Sequence, residues 1–276
     1  MGEFLQNMTL TLDSIRDIRL YQRRRGYRFS LDALLLFDFA RLQKAGRIVD
    51  LGAGSGIVGL LLAKRYPAAN VALVELQDGL YDLALKNIAL NGVEDRVRAV
   101  KADLREIGKS KKGLGPGGGS FDMAVSNPPF RKVTTGRLSL DDERAAARHE
   151  LTLSLPALVK AASCLVRNRG RFFMVYHPER LPEMFEALVN GGFNPKRLRF
   201  VHGRPATDAG HESDQSGPAS GGRSGPGSYG PGPHGAKMVL VESVRGGSPG
   251  LSVEHPLFVY AADGSWSPEV RRIYGL

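Results

Sequence analysis

The sequence predicts an α/β fold: a mostly parallel, doubly wound sheet with helices on both faces. Three observations predict it. Short β-branched, apolar runs alternate with helix-length amphipathic segments. A glycine-rich turn, GAGSG, joins the first of these runs directly to a helical pattern. The last two runs are linked by chain that holds no helix, and strands joined without a crossover must pair antiparallel.

Taken in order, the strand candidates are RIVDL (47–51), NVALVE (70–75), VRAVKA (97–102), FDMAVSN (121–127), GRFFMVY (170–176), PKRLRFV (195–201) and AKMVLVE (236–242). Between them, IVGLLLAKRY is apolar on most of its surface, DGLYDLALKNIALNG stops at Asn91-Gly92, and LPEMFEALVNGGF stops at Gly191-Gly192. Two segments have little to bury and are expected to be flexible loops: the Lys- and Gly-rich 108–120 and the Gly-, Ser- and Pro-rich 202–235. The division expected is an N-terminal segment, 1–46, followed by a single catalytic domain, 47–276.

Composition narrows the function classes. A chain of 276 residues with 42% hydrophobic content suits one large domain, and its 38 Lys+Arg against 28 Asp+Glu give a formal charge of +10. That excess favours a polyanionic partner such as nucleic acid. Cys164 is the single cysteine, read as a buried core thiol, so neither an internal disulfide nor a Cys-rich metal site can form, and no metal is expected. The start carries no secretory pattern, and the longest apolar run, ALLLFDFA, is too short to span a bilayer. A cytoplasmic protein with no membrane partner is the expectation.

The glycine turn carries the first chemistry. Gly52, Gly54 and Gly56 allow a tight turn and close approach of a ligand to the backbone. Glu75 closes the next strand, where a carboxylate can accept hydrogen bonds from ribose hydroxyls. The dinucleotide pattern would need glycine at 57, where Ile57 stands. Asp50, just before the turn, would repel a pyrophosphate but suits the cationic side of S-adenosyl-L-methionine. Asp103, at the end of the third strand, is placed to bond an adenine amino group.

With these residues the chain resembles the class I S-adenosylmethionine-dependent methyltransferases, Rossmann-like proteins. The resemblance implies a seven-stranded sheet of order 3-2-1-4-5-7-6 with strand seven antiparallel, in keeping with the antiparallel closure read from the sequence. In that order strands one and four flank the switch point where ligands bind. The glycine turn and Asn127-Pro128-Pro129-Phe130, which follows strand four, would then meet in one crevice. Pro128 holds Asn127 extended, and both prolines fix their own φ, so the corner is rigid. The Asn127 amide oxygen and the Pro128 carbonyl can each accept one hydrogen of a planar NH2 group, which concentrates its lone pair toward a sulfonium methyl. Phe130 offers a face on which a flipped base can stack.

The corner occurs in enzymes acting on adenine N6, guanine N2 or a protein glutamine amide, and the residues alone leave these open. The opening stretch resembles the bacterial tRNA(Val) adenine-N6 methyltransferases through Gln22, Gly26, Tyr27, Arg28, Phe29, Asp32, Ala33 and the leucines after it. AARHE (146–150) and the terminal HPLFVYAADGSWSPEVRRIYG share that likeness. The resemblance implies that Asp32 lies over the methionine end of the cofactor and that tRNA is the partner. The glutamine enzymes carry a long helical segment in front of the first strand, where 46 residues stand here, and the guanine enzymes a duplicated half. A cofactor- and RNA-binding module without turnover is a further alternative. Arg23, Arg24, Arg25 and Arg28, with Arg131 and Lys132, are candidate phosphate contacts.

Overall fold

The computed structural model describes residues 10–24, 31–107, 120–128, 153–205 and 235–276. The chain opens with a hairpin, β1 (Leu10–Ile15) and β2 (Ile18–Arg23), followed by α1 (Leu31–Phe39). Then come β3 (Arg47–Leu51), α2 (Ile57–Arg65), β4 (Asn70–Glu75), α3 (Asp78–Leu90), β5 (Val97–Lys101) and β6 (Phe121–Ser126). The second half holds α4 (Leu155–Leu165), β7 (Val166–Tyr176), α5 (Leu181–Asn190), β8 (Phe193–His202) and β9 (Ala236–Arg245). Two short strands, β10 (Ser252–Val253) and β11 (Leu257–Phe258), and α6 (Pro268–Tyr274) close it.

The main sheet runs β5-β4-β3-β6-β7-β9-β8, with β9 antiparallel to both neighbours and the other six strands parallel. This is the expected order, but the sheet has nine strands, not seven, because β10 and β11 add in parallel to the outer edge of β8. Strand alternation divides the core in two. Ile48, Val71, Leu73, Met123 and Val125 face α1, α2, α3, the hairpin and α6. Val49, Leu51, Ala72, Val74 and Ala124 face α4 and α5. Cys164 is partly exposed beside the second layer, a departure from the expected buried thiol, because it sits toward the rim of α4.

The β1–β2 hairpin has no counterpart among the strand candidates. Its two-residue turn is Arg16-Asp17, without the Gly or Asn that marks such turns, and Arg16 takes φ 50°. The Arg16 guanidinium donates to the carbonyls of Arg272 (3.0 Å) and Ile273 (2.7 Å), which ties the turn to the end of α6. The C-terminal end of α1 is held by Arg197, which donates to the Phe39 carbonyl at 2.7 Å with its guanidinium 4.0 Å from the Phe39 ring. Among the described residues no helix is long and apolar enough to cross a membrane.

Candidate active site

The C-terminal ends of the parallel strands form one edge, where Asp50, the glycine turn, Glu75, Asp103 and Asn127 stand. Gly52 and Ala53 both donate to the Val74 carbonyl at 2.9 Å, so the loop leaves β3 hooked over the end of β4. Gly52, Gly54 and Gly56 all have positive φ, of 74°, 58° and 90°. At Gly56, which opens α2, a Cβ would also lie 2.8 Å from the Leu73 side chain. At Gly52 a Cβ would meet nothing within 4 Å among the described residues, which leave room over the turn. Ser55, within the turn, has a buried hydroxyl oxygen with no hydrogen-bond partner among the described residues.

Glu75 is buried, and the backbone holds its carboxylate. Oε2 accepts the Gly54 N–H at 2.9 Å, and Oε1 accepts those of Leu76 and Gln77, each at 2.9 Å. A carboxylate offers about four acceptor positions, so one remains on Oε2. Leu76, next in the chain, is an exposed apolar side chain. Asp50 is also buried, and its Oδ2 accepts the Gly59 N–H at 2.9 Å in the first turn of α2, where helix donors lack partners. Burial raises the Asp50 carboxyl to about 7, with the Gly59 bond working against the rise and the nearby Glu75 charge adding to it. Asp103 is engaged differently from expectation. It caps a short 3-10 turn and holds the Arg105 guanidinium, with Nε 3.0 Å from each of its oxygens, which lowers its pKa. An adenine amino group at Asp103 would share that carboxylate with Arg105.

Parallel pairing sets Asp50 level with Val125, the last pair in register, and β3 and β6 then end side by side at Leu51 and Ser126. The Ser126 hydroxyl donates to the Leu51 carbonyl at 2.7 Å and locks the two strand ends together. Asn127 is half-buried and Pro128 is buried at this junction. Asp32 opens α1 and is partly buried. Arg23 ends β2 with its guanidinium over the first turn of α3, where a Cβ on Gly79 would lie 2.0 Å from it, and Arg24 is exposed beside it. Phe130, Arg25, Arg28, Arg131 and Lys132 lie outside the described residues.

Three residues not singled out from the sequence complete the site. Ser126 stood at the end of the fourth strand candidate, just before the corner, without a role. Gly59 lies inside α2, where glycine costs about 1 kcal/mol relative to alanine, and that cost was the available signal. A Cβ there would come within 2.1 Å of Leu73 and 3.3 Å of Asp50 Oδ2, so its absence lets helix and strand close around the acid. Asn87, fully buried on α3, gave no signal. Its amide donates to the carbonyls of Ser55 (2.9 Å) and Tyr21 (3.1 Å) and accepts the Tyr21 N–H at 2.7 Å. Asn91, one turn on, exchanges the same pair of bonds with Arg19 at 3.0 and 2.7 Å. Two asparagines thus take the place of a neighbouring strand along the free edge of β2, and one of them reaches the glycine turn. Among the described residues no cluster of His, Cys, Asp and Glu is arranged to hold a metal ion.

The family model for the methyltransferase small domain matches residues 31–180. A tRNA1(Val) (adenine(37)-N6)-methyltransferase of Porphyromonas gingivalis strain W83 is 32% identical over 181 residues, 64% of this chain and 69% of that protein. One of the same name from Bacteroides thetaiotaomicron is 35% identical over 145 residues, covering 52% of this chain and 57% of the relative. Some of these alignments therefore span less than two thirds of the relative's length. Among solved structures, a predicted O-methyltransferase of Agrobacterium tumefaciens superposes with a TM-score of 0.64 at 20% identity, over 88% of this chain and 95% of that one. M. jannaschii TYW2 in complex with AdoMet gives 0.52 at 14%, over 86% and 85%. The open room over Gly52, the orphan Ser55 hydroxyl and the free position on Glu75 fit a nucleoside cofactor, and the chain belongs to the methyltransferase small domain family, class I S-adenosylmethionine-dependent methyltransferases.

Proposed function

We propose that the chain transfers the methyl group of S-adenosylmethionine to N6 of an adenine in RNA, with the anticodon loop of a tRNA as substrate. The observation that carries this reading is the junction of β3 and β6, where the Ser126–Leu51 bond joins the two strand ends from which the glycine turn and the Asn127 corner depart. An acceptor held by that corner lies beside a ligand held by the glycine turn. The P. gingivalis and B. thetaiotaomicron relatives, named for transfer to adenine N6 of a tRNA, support the acceptor, and the net charge of +10 agrees with a nucleic-acid partner.

The cofactor, when bound, supplies an electrophilic methyl on a cationic sulfur. Glu75 is arranged to take one ribose hydroxyl on its free position, while exposed Leu76 offers an apolar face to the adenine of the cofactor. Asp50 and Asp32 place negative charge toward the methionine end. The Asn127 amide oxygen and the Pro128 carbonyl accept the two hydrogens of the acceptor amine and aim its lone pair at the methyl. The rate then comes mainly from positioning and electrostatics, without a strong base. Phe130 stacks on the flipped base. Residues 1–46 form the segment that covers the cofactor and meets RNA, and Arg23, Arg24, Arg25, Arg28, Arg131 and Lys132 meet phosphates. The enzyme works where its tRNA matures, in the cytoplasm.

The test uses labelled S-adenosylmethionine with separate pools of unmodified tRNA and ribosomal RNA, digested to nucleosides and chromatographed. N6-methyladenosine from the tRNA pool is the expected product. N2-methylguanosine from ribosomal RNA would overturn the acceptor and keep the corner chemistry. Label in protein glutamine instead of RNA would overturn the RNA reading.

A further inference from the structure

The far end of the same sheet edge carries a row of aromatic rings that the catalytic account leaves unused. β11 runs parallel to β8, so Phe258 ends beside His202 on the edge that also carries the glycine turn and Asn127, and the two rings lie 5.4 Å apart. Pairing continues beyond the strands, with Val259 donating to the His202 carbonyl and Tyr260 to that of Gly203, each at 2.9 Å. The chain then turns back. Ala261 N–H meets the Ser265 carbonyl, Ser267 N–H meets that of Val259, and Tyr260 and Trp266 become antiparallel bridge partners. Directly opposed residues of an antiparallel pair project from one face. Tyr274 of α6 lays its ring 4.3 Å from Trp266, and the Arg204 guanidinium lies 5.9 Å from the Tyr260 ring. Arg204, Tyr260, Trp266 and Tyr274 therefore stand in a row.

Two features set this row apart from ordinary packing. Tyr260 and Trp266 remain 38% and 37% exposed, so the largest rings of the hairpin face water. The Arg204 guanidinium beside the Tyr260 ring pairs with no carboxylate among the described residues, Glu269 is held bidentately by Arg199 at 2.8 Å, and Asp263 at the turn keeps its charge while accepting from the Ser265 N–H and hydroxyl. The row lies on the same side as the first helix: α6, which carries Tyr274, packs against α1, which Asp32 opens. The row lies on the extension of β11, which β8, β9 and β7 separate from β6, four strand spacings or about 19 Å.

We propose that this row is a stacking platform for unpaired RNA bases flanking the nucleotide that enters the Asn127 pocket, a proposal that rests on the RNA reading above. Exposed π-faces beside a guanidinium with no carboxylate partner among the described residues match a strand with flat bases and an anionic backbone, and such stacking accepts any base. Paired bases present no free face, so a loop is bound here and a duplex is not.

Trp266 is the single tryptophan of the chain, so its emission reports on the row directly. Full-length protein titrated with a stem–loop RNA carrying adenine in an unpaired loop should lose Trp266 emission, and a fully paired duplex should leave it unchanged. Trp266→Ala should raise KM for the stem–loop roughly tenfold, the loss of one stacked base, with the cofactor dissociation constant unmoved and Trp266→Phe recovering most of the loss. A thermal melt checks that the variants are folded. If Trp266→Ala fails to fold, Tyr260→Phe and Tyr260→Ala give the same comparison on the neighbouring ring. Silent emission with an RNA that the enzyme does methylate, or an unchanged KM in the folded alanine variants, overturns the platform and leaves the proposed function standing. No label in any RNA overturns both.

Discussion

At the β3–β4 end of the ligand edge, three backbone N–H groups grip Glu75, a fourth grips Asp50, and the Val74 carbonyl takes two more from the turn itself. At the β8–β11 end the work passes to side chains: Arg199 on Glu269, Trp266 on Tyr274, Arg204 over Tyr260. The first arrangement fixes two carboxylates wherever the main chain runs, so residue type and position are bound together. The second can change its side chains without disturbing a strand. A cofactor of constant shape suits the first, and a macromolecular substrate of variable context suits the second. The Asn127 corner stands between them, joined to the cofactor side by the Ser126–Leu51 bond.

Substitutions should divide along that line. The largest effect is expected at the corner: Asn127→Ala removes the acceptor proposed to act on the reacting amine, and single-turnover transfer should fall on the order of 10²–10³-fold. Next is Glu75→Gln. The amide has one oxygen for the groups that a carboxylate serves, so the cofactor dissociation constant, read by calorimetry, should rise about 10- to 100-fold, the value of a charge-assisted hydrogen bond.

Asp50 gives a dependence on pH. Its carboxyl is raised from 3.8 to about 7, so the native chain keeps a proton that the unfolded chain has released. The stability it contributes is full below the unfolded value, declines as pH rises from about 4 to about 7, and is level above that. Cofactor affinity should run the other way, because a cationic ligand favours the ionised acid. Binding should tighten as pH rises through about 7, with proton release on binding below it, and Asp50→Asn should flatten the profile. The smallest effect is expected at Asn87→Ala, which leaves the Tyr21 and Ser55 backbone groups without their partner. A loss of about 1–3 kcal/mol in denaturant stability should appear, with a weaker cofactor because the turn loses its tether.

The same comparison explains what was legible in the sequence. β3, β4 and β6 are buried on both faces and read as continuous apolar runs, and acids at their ends could be assigned from position alone. The antiparallel β9 followed from a missing helix. What failed to show was structure made by side chains or by very short pairing. The β1–β2 hairpin turns on Arg16-Asp17 and satisfies its free edge through Asn87 and Asn91 in place of a strand, which no periodicity records. β10 and β11 are two residues each, too short to carry an alternation. At the site, position gave Asp103 but not its neighbour Arg105, which occupies it, and SNPPF gave Asn127 but not the clamp made by Ser126. Contacts between side chains distant in sequence are set by packing, and a single chain read in order carries little trace of them.

The most direct test measures two quantities on two variants: the cofactor dissociation constant and the single-turnover rate of methyl transfer to a stem–loop RNA, for Asn127→Ala and Glu75→Gln beside the unaltered chain. The prediction is a crossed result. Asn127→Ala loses the rate and keeps the affinity, and Glu75→Gln loses the affinity and recovers much of the rate at saturating cofactor. If Asn127→Ala transfers methyl at the unaltered rate, or if both variants lose both quantities together, the corner is not the element that positions the acceptor.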